Sequence, residues 1–179
     1  KRIMLQGRLI KRLVYLNFEN FETYTNYVFS KEGEILELHH MVDAISTNKT
    51  DFFREAVHFD FLKEQVLPEL MSHQKSQILK IWSAACPSGE EVYTIAMVVN
   101  DFFEKNADTN FSILGTDISK RMLIEAQNAI YPSIYTKSIP LETKKKYFLK
   151  SKNTSKDEVR IKKILRDKVH FQWHNLMDR

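Results

Sequence analysis

Two adjacent carboxylates, Glu90 and Glu91, follow a run of small residues in the stretch Trp82–Met97, which reads WSAACPSGEEVYTIAM. The apolar residues ahead of this run are typical of a buried strand, and those after it recur at helical spacing. Small side chains let a ligand approach the backbone, and Gly89 permits a tight turn. The pattern therefore predicts a binding loop between a strand and a helix. The alternative is that both glutamates only complement the helix dipole.

The acidic start of this helix favours a cationic ligand over one that carries phosphates. Neither the dinucleotide fingerprint G-x-G-x-x-G nor the phosphate-loop pattern G-x-x-x-x-G-K-[ST] occurs in the sequence. A second acid, Asp117, ends the strand-like stretch FSILGTD, at a place where an acid commonly accepts hydrogen bonds from ribose hydroxyls. An adenosine with a positively charged amino-acid tail is S-adenosylmethionine, so Glu90 and Asp117 together predict this cofactor.

The second half of the chain alternates between two kinds of regular structure. Strand-like stretches cover about 78–84 and 111–119, and helical periodicity covers about 90–105 and 119–131. This alternation predicts a parallel α/β sheet, with Ser119 as the N-cap of the second helix. Ligands of such sheets bind at the carboxyl ends of the strands, which is where Glu90 and Asp117 are expected.

The rest of the chain is organised around this sheet. Residues 1–73 contain only helical periodicity, which predicts an all-helical domain over 1–73 and an α/β domain over 74–179. The polar stretch 72–77 is expected to link them. Alternating residues predict a small antiparallel insertion at about 146–170, and the last strand is expected to rejoin the main sheet.

Positive charge is segregated along the chain. The net charge is +4, yet residues 1–18 contain five basic groups and no acid, and residues 144–168 contain eleven basic groups and three acids. At about 100° per residue, the first helix gathers its cations opposite a broad apolar arc. These cations are Lys1, Arg8, Arg12 and, beside them, Lys11. The pattern predicts a basic outer face and an acidic partner; the alternative, for the second segment, is a solvated face.

Composition and length restrict the class of protein. A chain of 179 residues with 43% hydrophobic residues can build a core for one domain and a small accessory piece. One cysteine, Cys86, excludes an intrachain disulfide, and no apolar run is long enough to cross a bilayer, so we expect a cytoplasmic protein. The sequence contains neither paired cysteines nor an H-E-x-x-H pattern, so no metal site is predicted. Cys86 is expected to pack in its loop and not to act as a nucleophile.

Several stretches resemble the chemotaxis receptor (protein-glutamate) methyltransferases, the CheR family, in the same order along the chain. WSAACPSGEEVYTIAM resembles the family's cofactor loop, and STNKTDFFRE at 46–55 resembles its TTN-x-T-x-FFR signature. LGTDIS, AQNAIY and FQWHNLMD resemble its second-strand acid, its A-R-x-G-x-Y segment and its x-x-x-N-L-L strand end. The resemblance covers nearly the whole chain.

The resemblance implies a class I, Rossmann-like methyltransferase domain with an N-terminal helical domain and a small inserted β-subdomain. It also implies methyl transfer from S-adenosylmethionine, with S-adenosylhomocysteine as product, to glutamate side chains on the cytoplasmic helices of chemoreceptors. Carried over by motif, the cofactor-lining residues are Asn48, Thr50, Arg54, Glu90, Asp117, Asn175 and Leu176. Arg54 would also face the reacting centre as the catalytic residue, and Arg8, Lys11 and Arg12 would dock onto the receptor helix.

The sequence also departs from the family pattern. The family's x-R-N-x-x-x-Y-F segment and later strands do not occur before Arg179, so the resemblance predicts a truncated domain with an incomplete pocket. The stretch LKSKNTSKDEVRIKK contains no glycine, so tethering of a receptor C-terminal peptide is not expected.

Two other functions stay open at this point. One is a degenerate relative that binds the cofactor or the receptor without catalysis. The other is nucleic-acid binding, because aromatic residues interleave with the basic segments. Alternation places those aromatics inside a sheet, and this second function would leave the cofactor motif unused, so no nucleic acid is expected as a partner.

Overall fold

The first part of the chain is helical in the computed structural model, which describes residues 2–73, 78–106, 110–153 and 155–178. Its helices are α1 (Arg2–Tyr15), α2 (Phe21–Val28), α3 (Lys31–Leu36), α4 (Leu38–Ile45), α5 (Ala56–Phe61) and α6 (Leu67–His73). Asn20 and Ser30 cap α2 and α3, because their side-chain oxygens accept hydrogen bonds from Thr23 N and Gly33 N. Most of the predicted linker at 72–77 lies outside the described residues.

A π-helical turn, Leu62–Val66, joins α5 to α6. Its physical reason is Pro68, which has no N–H to donate to the carbonyl four residues earlier. The N–H of Leu67 bonds to the carbonyl of Leu62, five residues back, which is the π pattern. Sequence periodicity predicted helix here but not the wider turn.

The helices divide between two hydrophobic cores. Leu9 and Leu13 of α1 pack with Tyr24 and Val28 of α2 in a small core of their own. Phe52 and Leu67 instead belong to the larger core that includes the main sheet. Packing therefore ties the stretch that leads into α6 to the second part of the chain. The domain division at residue 73 stays a prediction.

Among the described residues, the main sheet has three parallel strands, β1 (Leu79–Ala84), β2 (Phe111–Asp117) and β6 (Val169–Trp173), in the order β1-β2-β6. Along the chain, α7 (Glu90–Asn106) lies between β1 and β2, and α8 (Lys120–Asn128) follows β2. This alternation confirms the predicted parallel α/β sheet. Gly115 of β2 allows close packing, because a Cβ there would lie 2.8 Å from the ring of Phe171 and 2.9 Å from Val92 Cγ2.

A second, antiparallel sheet has the order β3-β5-β4. Its strands are β3 (Ile130–Pro132), β4 (Phe148–Lys150) and β5 (Glu158–Ile161), and α9 (Leu141–Tyr147) precedes β4. The short helix α10 (Lys163–Arg166) then leads into β6 (Val169–Trp173) of the main sheet. The sequence missed β3, because helical periodicity continued to Tyr131. Ala129 ends α8 earlier by adopting a left-handed conformation with φ 54°.

Among the residues that the structure describes, no helix has both the length and the apolar character that crossing a bilayer requires.

Candidate functional site

The carboxyl ends of the three main strands meet at one edge of the sheet. Ala84 is paired with Thr116, and Asp117 is paired with Trp173. The loops that follow β1, β2 and β6 therefore start side by side, as expected for a ligand site in a parallel α/β sheet.

The loop after β1 is held by its own backbone. Ala85 takes a left-handed conformation with φ 60°, and the N–H of Cys86 donates to the carbonyl of Thr116 at 2.9 Å. Gly89 has φ 89°, and a Cβ there would lie 2.9 Å from Ala126 Cβ of α8. Only glycine suits this position, because any side chain would clash and strain the backbone. The loop thus delivers Glu90 to the first position of α7 in a fixed orientation.

The two neighbouring glutamates have different surroundings. Glu90 is 2% exposed, and its Oε2 accepts a hydrogen bond from Ser88 Oγ at 2.7 Å. Burial raises the pKa of Glu90, the bonds from Ser88 and its own backbone amide oppose this, and the charges of Asp51 and Glu125 add to it. Glu91 is exposed, and its Oε1 accepts a hydrogen bond from Ser83 Oγ at 2.7 Å. Side chains of consecutive helical residues diverge by about 100°. The two glutamates therefore line different clefts.

The 46–55 loop, between α4 and α5, forms the wall of both clefts. The first cleft, of about 470 Å³, is lined by Thr50, Arg54, Ala85, Cys86 and Glu91 among others. The second, of about 520 Å³, is lined by Asn48, Thr50, Ser88, Glu90, Arg121 and Glu125 among others. Lys49, Thr50 and Asp51 border both. The tip of the loop therefore separates two clefts at the start of α7.

The C-terminal side of the 46–55 loop is anchored on the large core. Phe52 is 4% exposed, and its ring packs edge-on against Tyr131 and Phe148 with centroids 5.0 Å and 5.4 Å away. The N–H of Phe53 donates to Thr94 Oγ1 of α7 at 3.2 Å. Arg54 Nη1 donates to the carbonyl oxygen of Lys49 at 3.0 Å, which closes the loop on itself. The Arg54 side chain is exposed at the first cleft.

Asp117 lies at the end of β2 as predicted, with 6% of its surface exposed. Its Oδ1 accepts a hydrogen bond from Ser119 N at 2.8 Å, and Ser119 caps α8 by accepting from Met122 N at 3.2 Å, which confirms the predicted N-cap. Burial raises the pKa of Asp117, the amides of Ser119 and Ile118 oppose this, and the charge of Asp43 on α4 adds to it. One oxygen of the carboxylate is therefore hydrogen-bonded within its own loop.

A third cleft, of about 340 Å³, lies beyond Asp117, between the N-terminal helices and the ends of β2 and β6. It is lined by Leu38, His39 and Val42 on one side and by Ile118, Trp173 and Asn175 on the other. Asn175 thus faces a different cleft from Thr50 and Glu90. Leu176 is 55% exposed and does not line any of the three clefts.

Cys86 does not have the setting of a nucleophile. It is 1% exposed, and burial, followed by the charge of Asp117, raises the pKa of its thiol to about 12. A thiol with so high a pKa stays protonated at neutral pH and attacks poorly. Its role is therefore packing in the loop.

The predicted basic outer face of α1 is wrong for two of its cations. Arg12 pairs with the buried Glu37, with Nε 2.9 Å from Oε1 and Nη2 2.5 Å from Oε2. Arg8 Nη1 donates to the carbonyl oxygens of Ile45 and Ser46 at the end of α4. Lys11 is exposed, and Lys1 lies outside the described residues. Apolar residues occupy much of the outer face, since Ile3 is 84%, Val14 71% and Ile10 53% exposed.

Sequence reasoning missed residues that border the same clefts. Glu91 is the main omission, together with Lys49 and Asp51. Ser83 of β1 donates a hydrogen bond to Glu91. The double glutamate was visible in the sequence, but helical geometry alone does not say which of two adjacent side chains is buried. Thr50, Arg54 and Glu90 are brought together around one loop, Asp117 lies at the neighbouring strand end, and Asn175 and Leu176 lie farther along this edge.

The chemistry of these residues fits S-adenosylmethionine. Carboxylates at Glu90, Glu91 and Asp117 suit an ammonium group, a sulfonium and ribose hydroxyls. Arg54, at the opening of the first cleft, suits a carboxylate. A pyrophosphate would meet these carboxylates unfavourably.

Comparison with known proteins agrees with this reading. Residues 48–179 match the family described as CheR methyltransferase, SAM binding domain. The chain is 41% identical over 184 residues to the chemotaxis protein methyltransferase of Borreliella burgdorferi, covering 99% of this chain and 63% of that protein. It is 31% identical over 182 residues to chemotaxis protein methyltransferase 1 of Pseudomonas aeruginosa, covering 99% and 65%. The Escherichia coli chemotaxis protein methyltransferase is 30% identical over 177 residues, with 99% and 59% covered.

The chain therefore spans roughly three fifths of the length of these relatives. The match to the SAM binding domain confirms the resemblance found in the sequence, and with it the Rossmann-like class of fold and S-adenosylmethionine as the cofactor. A cofactor loop, a strand-end acid and a family match over most of the chain lead to one conclusion: the chain belongs to the CheR methyltransferase family.

Proposed function

We propose that this chain binds S-adenosylmethionine and directs its methyl group to glutamate side chains on the cytoplasmic helices of chemoreceptors. The observation that carries the proposal is the meeting of the 46–55 loop with the acidic start of α7, beside Asp117 at the strand ends. The relatives are named chemotaxis protein methyltransferases, which supports this substrate class.

Different residues are proposed to bind different parts of the cofactor. Asp117 accepts hydrogen bonds from ribose hydroxyls, and Glu90, at the start of α7, holds the ammonium group. The full set proposed to line the cofactor is Asn48, Thr50, Arg54, Glu90, Asp117, Asn175 and Leu176. Glu91 joins it on the strength of its exposed, Ser83-bound carboxylate in the first cleft.

The chemistry needs little acid–base help from the protein. When bound, the cofactor supplies an electrophilic methyl group on a sulfonium. A glutamate acceptor, with a reference pKa of about 4.3, is already an ionised nucleophile at neutral pH. Because opposite charges disappear as they react, water stabilises the reactants more than the transition state. The protein therefore contributes by excluding water and by aligning the carboxylate.

Arg54 is the residue proposed to align the acceptor. A guanidinium holds a carboxylate in a bidentate geometry that an ammonium does not reproduce. The Arg54 guanidinium is held by the bond from Nη1 to the carbonyl of Lys49, and the exposed side chain lies at the first cleft. The alternative is that this bond is its whole role, as a structural closure of the loop.

Methyl transfer from radiolabelled S-adenosylmethionine tests the proposal. The acceptors are two acidic helical peptides that differ only in one glutamate, replaced by glutamine in the control. We expect a base-labile methyl ester on the glutamate peptide alone, and Arg54→Ala should lower kcat/KM about 100-fold, the scale of a misaligned reactant. Cofactor binding without ester formation by the wild-type protein would favour a binding module instead.

A further inference from the structure

The guanidinium of Arg8 connects α1 to the start of the 46–55 loop. Its Nη1 lies 2.5 Å from the carbonyl oxygen of Ile45, 3.2 Å from that of Ser46 and 3.2 Å from Thr47 Oγ1, and its Nη2 lies 3.3 Å from the same hydroxyl. One side chain therefore contacts three successive residues where the chain leaves α4.

These contacts satisfy groups that a helix end leaves open. The last carbonyls of a helix have no partner within it, and a cation there also interacts favourably with the helix dipole. Ser46, the C-cap of α4, is extended with φ −65° and ψ 147°, so the chain turns away from the helix axis at this point. Arg8 thus fixes the direction in which the chain enters the loop.

We propose that Arg8 is a positioning residue for the cofactor site. Phe52 and Phe53 anchor one side of the 46–55 loop on the large core, and Arg8 anchors the other on the N-terminal helices. Asn48 and Thr50 lie between the two anchors, at the second cleft. Without the Arg8 anchor, these residues lose their fixed approach to the start of α7.

This role differs from docking onto a receptor helix, which the sequence predicted for the same residue. The side chain is partly buried, and its donors point to α4 and the loop. Lys11, on the same helix, is exposed and keeps the docking role that the family resemblance implies for it. The pair offers a matched control, because both substitutions remove one cation from α1.

Calorimetric titration with S-adenosylhomocysteine tests the inference, which rests on the proposed cofactor site. We expect Arg8→Ala to weaken binding about tenfold, which is the change that one well-placed charged hydrogen bond produces. Lys11→Ala should bind like the wild type, and Arg8→Lys should recover part of the loss. Amide hydrogen exchange over 46–51 should be faster in Arg8→Ala than in Lys11→Ala.

The same variants separate positioning from docking and from a merely structural role. At saturating cofactor, KM for an acceptor helix should rise in Lys11→Ala and stay unchanged in Arg8→Ala. Folded Arg8→Ala with wild-type affinity for S-adenosylhomocysteine would overturn the inference. If Arg8→Ala does not fold, Thr47→Ala removes one acceptor only, and we expect it to weaken binding about threefold; an unchanged affinity there would also overturn it. A folded wild type that does not bind the ligand would instead refute the cofactor site itself.

Discussion

The adjacent side chains of Glu90 and Glu91 are expected to affect the stability of the fold differently. Glu90 is buried at the start of α7 with a raised pKa, whereas Glu91 is exposed. A carboxyl whose pKa is raised by folding stabilises the fold while it is protonated, below its unfolded pKa of about 4.3, and that contribution is lost as the pH rises through the folded pKa. The Glu90 carboxyl therefore favours the fold less at neutral pH than in acid, and such shifted carboxyls are common at functional sites.

We expect Glu90→Gln to raise the free energy of unfolding by about 1 kcal/mol at neutral pH, the scale of a typical single substitution. Glutamine still accepts the hydrogen bond from Ser88 but carries no charge. The same variant should bind S-adenosylhomocysteine more weakly. Urea denaturation with and without the ligand measures both effects.

Glu91→Gln is the control for this prediction, since its exposed side chain should change the free energy of unfolding by less than about 0.5 kcal/mol. The explanation fails if Glu90→Gln is less stable than the wild type at neutral pH, or if its advantage grows as the pH is lowered.

Two helical glycines, Gly7 in α1 and Gly33 in α3, have opposite packing at the scale of the element. A Cβ at Gly7 would meet nothing within 4 Å. A Cβ at Gly33 would overlap the carbonyl oxygen of Tyr27 and lie 2.8 Å from Val28 Cα, because α3 begins directly against the end of α2. Helix propensity favours alanine at both positions by nearly the same amount.

We expect Gly7→Ala to stabilise the chain by about 0.5–1 kcal/mol and Gly33→Ala to destabilise it by about 1–3 kcal/mol. Thermal unfolding of the two variants side by side measures the difference. Equal shifts of the unfolding midpoint would contradict the packing of α3 against α2.

Glu37 holds the N-terminal helices together through Arg12 and Tyr24. It is 2% exposed, and its Oε1 also accepts from the Tyr24 hydroxyl at 2.9 Å. Burial alone would raise its pKa, but the bonds from Arg12 and Tyr24 outweigh burial and lower the pKa below the usual range. The stabilisation is thus present above the unfolded pKa of about 4.3 and lost as the pH falls through the folded value.

Glu37→Gln should therefore cost about 3 kcal/mol at neutral pH, because Arg12 loses its buried partner, and the cost should shrink in acid. The measurement is the free energy of unfolding in urea from neutral pH down to below the pKa of free glutamate. Glu22→Gln, an exposed acid in the first turn of α2, serves as the control. A cost that does not depend on pH would contradict the assignment.

Sequence pattern predicted most of the elements that position the site and missed what depends on packing. The β1-α7-β2-α8 alternation was found because apolar runs and helical periodicity are local signals. The strand β3 was missed, since a single left-handed residue, Ala129, ends α8 without a glycine to mark it. The orientation of α1 was misjudged because Arg8 and Arg12 are bound by partners far along the chain, Ile45 and Glu37.

The same limit applies to the site at the scale of the whole molecule. Asp117, Thr50 and Arg54 could be proposed from motifs, because the end of a strand and a short signature can be read from the sequence. The separation of Glu90 and Glu91 into two clefts could not, since it depends on how α8 and the 46–55 loop pack on either side of α7. Local sequence pattern identifies these residues, but long-range contacts decide which cleft each of them lines.

The most direct test of the account is a titration of this chain with S-adenosylhomocysteine, with Asp117→Asn as the matched variant. Asparagine keeps an oxygen for the Ser119 amide, so the loop should hold, but its neutral oxygen is a weaker acceptor for ribose hydroxyls than a carboxylate. We predict micromolar binding by the wild type and about tenfold weaker binding by Asp117→Asn. Equal affinities of the two folded proteins, or no binding by a well-folded wild type, would contradict an adenosyl site at this edge of the sheet.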